Sequence, residues 1–293
     1  MARAGLSLTH KRFAAFVLVS GLLFSFPLLR LVEYSLHNSS SSHIVVIPFV
    51  SVFLLYLERD SIFATTSMNL ILGIILGAVG LGVLLVDLIF RSGTWALAFE
   101  VLSLVIVWMA GFVFFYGTAA LRAGAFPMLF LLLMVPLPDP VLNWIVHALQ
   151  EGSTSIACWV FRLFGTPVLR NGFVLSVPGV TIEVAQECSS IRSSLALLIT
   201  CLLAAHLYLR TGWKKWMFVL LSFPLSLVKN GIRIATLTLL SIYVTPDFLT
   251  GRLHHEGGIV FFLMALAMLW PVFVWLEKTD KRRAVPLPAA ERQ

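Results

Sequence analysis

Three short stretches of the chain hold the residue types that nucleophilic catalysis needs. The first is Glu187-Cys188-Ser189-Ser190-Ile191-Arg192, where polar residues lead into an apolar run. A cysteine at a helix N-terminus feels the positive end of the helix dipole and nearby unsatisfied N–H groups, and both favour the thiolate. Arg192, four residues on, shares that face once the helix has begun and would stabilise the anion further. The second stretch is Lys229-Asn230-Gly231-Ile232-Arg233, a basic and amide-bearing break inside a long apolar segment. The third is His254-His255-Glu256-Gly257-Gly258. A histidine there can take a proton from a thiol and return it to a leaving amine.

Each stretch also has a plainer reading. A cysteine in an apolar setting is usually a small inert hydrophobe, and that is the reading for Cys158 and Cys201. Cys188 differs because its surroundings are polar. Arg233 is either a catalytic cation or a structural one paired with Asp87 or Glu100. His254 and His255 are either catalytic or interfacial surface residues, and His147 and His206 read as structural. A zinc site built from Cys188 and the histidine pair lacks the H-E-x-x-H or C-x-x-C spacing that such sites use.

The elements that must position these residues follow from composition. The 293 residues are 59% hydrophobic and 12% charged, with a mean hydropathy of +0.95. Soluble domains carry about 25% charged residues, and a span needs about 20 apolar residues in a row. Several runs reach that length, so the chain reads as an all-α polytopic membrane protein. A soluble enzyme, a nucleic-acid-binding domain and an alternating transmembrane β-barrel are excluded. Three cysteines argue against a disulfide framework.

Apolar segments fall at 13–32, 44–57, 66–90, 95–116, 124–137, 190–209, 216–244 and 255–276, which predicts about eight transmembrane helices. The first lacks a small-residue cleavage site and reads as a retained span. Lys229, Asn230 and Arg233 interrupt 216–244, so it need not form one straight helix. Between 138 and 189 the pattern changes. Residues 141–164 mix apolar positions with Asn143, His147, Gln150, Glu151 and Arg162, as an interfacial amphipathic helix would. Residues 168–186 read as two short strands and a turn, a β-hairpin inserted before Cys188.

Thirteen of the 21 Lys and Arg residues fall on the side that holds both termini, which makes that side cytoplasmic. The whole chain, 1–293, then reads as a single transmembrane domain. Residues 138–189 form an extracytoplasmic interfacial segment and 277–293 a basic cytoplasmic tail. The three chemical stretches all fall at the outer face.

Their order resembles the exosortase/archaeosortase family of membrane-embedded cysteine enzymes. Pro136-Leu137-Pro138 ends a span and precedes an outer-face stretch. Gln186-Glu187-Cys188-Ser189-Ser190-Ile191-Arg192-Ser193 is similar to the family's E-x-C-S-G-I-R-S motif. Asn230-Gly231-Ile232-Arg233-Ile234 is similar to N-x-x-R-I, and His254 through Gly258 to Phe262 resembles H-x-x-x-G-W-x-x-F. Ser42-His43-Ile44-Val45 resembles the family's S-H-G segment. Gln186, Ser190 and Ile259 depart from the family pattern, but Cys, Arg and His are all kept. Histidine at 254 is the bacterial exosortase form of the last motif, and its spacing to Gly258 favours His254 over His255.

The resemblance implies a cysteine endopeptidase and transpeptidase of the bacterial cytoplasmic (inner) membrane, facing outward. Its substrates would be exported proteins whose tails carry a Pro-Glu-Pro motif, a membrane helix and a basic cluster. It implies Cys188, Arg233 and His254 as catalytic residues, with Asn230, Arg192, Glu187, His255 and His43 in support. The product would pass to an acceptor nucleophile, lipid- or exopolysaccharide-linked. Membrane lipid is the other partner, and neither a cofactor, a metal nor a nucleic acid is implied. Two readings of other classes stand beside it: a polytopic transporter, and a non-catalytic assembly protein for export or polysaccharide. A transporter would spread polar groups through the bilayer depth, and an assembly protein would not need Cys188.

Overall fold

The computed structural model describes residues 2–90, 93–184, 191–245 and 258–283. The helices among them are α1 (Ala2–Leu23), α2 (Ser25–His37), α3 (Ile47–Leu57), α4 (Arg59–Ile62), α5 (Leu70–Phe90), α6 (Ala96–Ala123), α7 (Ala125–Phe130), α8 (Asp139–Leu163), α9 (Ile191–Tyr208), α10 (Gly212–Tyr243) and α11 (Gly258–Arg283). Every apolar segment read from the sequence is mainly helical over its described residues, but the segments are cut differently. The first run is split at Phe24, because Pro27 has no N–H to donate to the Leu23 carbonyl. Segment 44–57 yields an 11-residue helix, which at 1.5 Å per residue is about half of a ~30 Å hydrocarbon layer.

Six helices among the described residues are long and apolar enough to cross a membrane. The number becomes seven if Ala125–Met134 and Asp139–Leu163 are one broken span. The 216–244 segment, despite its polar interruption, lies in one continuous helix, α10. The protein is thus a mostly helical, multi-pass membrane protein, and its outward faces are apolar: Ile89 and Phe90 on α5 are 71% and 74% exposed.

The chain forms two compact units, 1–142 and 143–293. In the first, α5 and α6 pack closely where Gly73 and Gly80 present no side chain, and Ser103 donates to the Gly80 carbonyl at 2.8 Å. Aromatic rings from Phe13, Phe63, Phe112 and Tyr116 pack around His10, whose Nδ1 lies 2.7 Å from the Tyr116 hydroxyl.

In the second unit α9, α10 and α11 share a core of Leu197, Cys201, Leu209, Phe218, Ala265 and Leu269. Beside them lies a three-stranded antiparallel sheet: β1 (Leu169–Asn171), β2 (Val174–Val177) and β3 (Val180–Glu183), in that order. The sequence led us to expect two strands and one turn; there are two turns. Asn171 pairs with Val174 across a loop whose first residue, Gly172, has φ +59°. Val177 pairs with Val180 across Pro178-Gly179, with Gly179 at φ +88°. That is the Pro-then-positive-φ order of a type II turn.

Candidate functional site

The polar residues of α10 sit on a seam that glycine makes possible. A Cβ on Gly231 would come within 2.5 Å of the Ile156 side chain and 3.1 Å of the Ala157 nitrogen, so α8 and α10 cross at backbone distance there. One helix turn earlier, Leu227 fills the space over Gly152. At this crossing Asn230 is 1% exposed and its Nδ2 donates to Ser153 Oγ at 3.0 Å. A buried amide left without such a partner costs about 1–3 kcal/mol. Gln150, Ser153 and Thr154 form a polar stripe on the buried face of α8, with Ala157 next along that face.

The residue before Asn230 reaches the other way. Lys229 is 1% exposed, and its ammonium donates to the hydroxyl of Ser193 in the first turn of α9. Arg233 follows one turn later on α10 and is half-buried, while Arg192 on α9, next to Ser193, is exposed. Arg192, Asn230 and Arg233 are therefore carried by one helix pair, with the first turn of α9 bonded to the turn of α10 that holds the other two.

The sheet and α8 fix where the chain leaves toward α9. Gln150 Nε2 donates to the Val184 carbonyl at 2.8 Å, and the Val184 N–H donates to Phe173 at 2.9 Å. Arg170 bridges β1 to α8, pairing with Glu151 at 2.6 Å and donating to Ser155 Oγ at 2.8 Å. Beneath them Ala157 and Phe161 of α8, Leu175 and Val177 of β2, and Ile234 and Ala235 of α10 close one apolar core. Val184, the last described residue before α9, is thus held by both hydrogen bonds and packing.

Glu187, Cys188, His254 and His255 lie outside the described residues. His43 lies in the first unit, half-buried between α2 and α3, where burial lowers its pKa from the ordinary imidazole value. Of the plainer readings, Cys158 and Cys201 are buried and free, as small hydrophobes would be. Glu100, one partner considered for Arg233, is bonded by Arg30 at 3.1 Å. His147 packs edge-on to Phe173. Sequence reasoning did not single out Lys229 by itself, Ser153 or Ser193. The polar stripe on α8 was the available signal for Ser153; a serine two residues into a span gave none for its lysine partner.

A family model described as transmembrane exosortase matches residues 35–271, a range that takes in the α8–α10 seam, the sheet and the sequence stretches around Cys188 and His254. No curated protein and no solved structure matches the chain.

Proposed function

The chain belongs to the transmembrane exosortase family, and from that premise we propose that it is a cysteine endopeptidase and transpeptidase acting on the C-terminal sorting tails of exported proteins. Cys188 attacks the scissile carbonyl and forms a thioester with the substrate's new C-terminus. His254 accepts the thiol proton and donates it to the departing amine. Arg233 stabilises the developing oxyanion, a role in which one preorganised donor supplies roughly 2.7–4 kcal/mol. Asn230, Glu187 and His255 orient the reacting groups, and Arg192 meets the acidic residue of the sorting motif. An acceptor nucleophile then releases the acyl group from Cys188. The enzyme works at the outer face of the bacterial inner membrane with both termini cytoplasmic.

The observation that carries this reading is the α10 turn of Asn230 and Arg233. It is a costly polar turn inside an apolar helix, bonded to α8 and, through Lys229, to the helix that follows Cys188. The test is processing of a reporter ending in Pro-Glu-Pro, an apolar span and arginines, co-expressed with the protein. Cys188→Ala, Arg233→Ala and His254→Ala should each abolish cleavage. Unchanged processing by Cys188→Ala overturns the proposal. Labelling of Cys188 in intact cells by a membrane-impermeant thiol reagent checks the orientation.

A further inference from the structure

Lys229 stands roughly 26 Å along α10 from Gly212, counting 1.5 Å per residue. An ammonium buried in a membrane helix is expensive, and such residues persist where they serve a function. The reaction outlined above gives Lys229 no part. Its geometry is nonetheless specific. Two consecutive residues of α10 tie it to two different helices, Lys229 to Ser193 of α9 and Asn230 to Ser153 of α8. Ser193 is the third residue of α9, immediately after Arg192. Arg233 lies one turn beyond Lys229 on the same face of α10.

We infer that Lys229 is a positioning residue: by bonding Ser193 it holds the first turn of α9, and so the chain entering that helix, in register with the Asn230–Arg233 turn. Lysine suits this task because its four-carbon stem reaches across a helix–helix gap while its three donors tolerate small shifts in direction. A catalytic site needs this tie because the nucleophile precedes α9 in the sequence while the oxyanion donor is carried by α10. Misplacement by about 1 Å can cost on the order of 10²-fold in rate. The inference rests on the proposed cysteine chemistry.

The test measures kcat and KM for the same sorting-tail reporter with the full-length protein in membranes. Lys229→Met and Ser193→Ala should each lower kcat by roughly 10–100-fold with KM unchanged. The double variant should be no worse than either single one, because both remove the same bond. Lys229→Arg should recover most of the loss. A wild-type kcat in Ser193→Ala, or losses that multiply in the double variant, would overturn the inference. Where Lys229→Met fails to accumulate, Ser193→Ala and Ser193→Thr decide the matter, since threonine keeps the hydroxyl and should restore what alanine loses. Cys188→Ala separates the two levels. If it still processes the reporter, the cysteine chemistry falls; if it is inactive while Ser193→Ala is normal, only the role of Lys229 falls.

Discussion

Helix α10 buries two lysines, and they are treated differently. Near its start, Lys214 lies 3.2 Å from the Asp280 carboxylate of α11 and 3.1 Å from Thr279 Oγ1. Asp280 also accepts from the backbone N–H groups of Arg210 and Thr211 and from the Thr211 hydroxyl, just ahead of the first turn of α10. Opposite charges meet, and the N–H groups of the loop before α10 are used. In the middle of the same helix Lys229 meets, among the described residues, a hydroxyl, and a second cation follows one turn later. The first cluster is a neutral, closed network that fastens α11 to the turn between α9 and α10. The second sits at a seam of three helices, with Lys229 bonded to Ser193 of α9 and Asn230 to Ser153 of α8. A network of the first kind holds a fold together, whereas the hydroxyl bond of the second ties one turn of α10 to the first turn of α9.

The largest test of that contrast is to break the closed network. Asp280→Asn or Lys214→Met leaves one charge buried without its partner and should cost about 3 kcal/mol. The cost should appear as an earlier unfolding midpoint in detergent, with kcat per folded molecule unchanged. Replacing both residues together should cost less than either alone. If Lys229→Met destabilises as much as Lys214→Met and leaves kcat intact, the contrast fails.

The next effects fall on the seam itself. Gly231→Val drives a branched side chain into Ile156 and the α8 backbone and should cost about 1–3 kcal/mol, together with most of the activity. Gln150→Leu removes the donor to the Val184 carbonyl and should cost about 1–3 kcal/mol by the same unfolding measurement.

A smaller effect is expected at Arg170→Ala. Its pair with Glu151 is partly exposed, so the loss should stay within about 1 kcal/mol and should shrink in high salt.

The subtlest effect lies in the other unit. Burial holds the His43 pKa below 6.5, so on acidification the unfolded chain binds this proton before the folded one does. Its contribution to stability is full above pH 6.5 and falls as the pH drops through that value toward the lower folded one. His43→Gln should flatten that slope in unfolding curves recorded at about pH 7.5 and about pH 5.5.

Much of this was legible in the residues alone. The apolar runs give membrane helices because each backbone polar group in lipid must be satisfied within its own helix, so length and composition decide the element. The turn glycines were visible, but Asn171-Gly172 and Pro178-Gly179 had to be counted as two turns before β1 and β2 could separate. The span count was less legible. Pro27 divides an apolar run that hydropathy treats as continuous, and Ile47–Leu57 is apolar without being long. The polar interruption of α10 left open whether the segment forms one straight helix, and a single helix runs through it. Lys229 and Asn230 find side-chain partners on neighbouring helices, and α10 runs on through them.

The sequence by itself determined that the protein lives in a bilayer, that its elements are helices, and that cysteine, arginine and histidine recur in the order of one family. These properties depend on local composition and spacing, which a linear chain carries in full. The tertiary structure alone decided which hydroxyl receives the Lys229 ammonium, that Asn230 answers to Ser153, and that Lys214 meets the Asp280 carboxylate. Helical periodicity assigns a residue to a face. Which residue meets it across the gap depends on the register and rotation of two packed helices, set by contacts such as Gly231 against Ile156 that lie 75 residues apart in the chain.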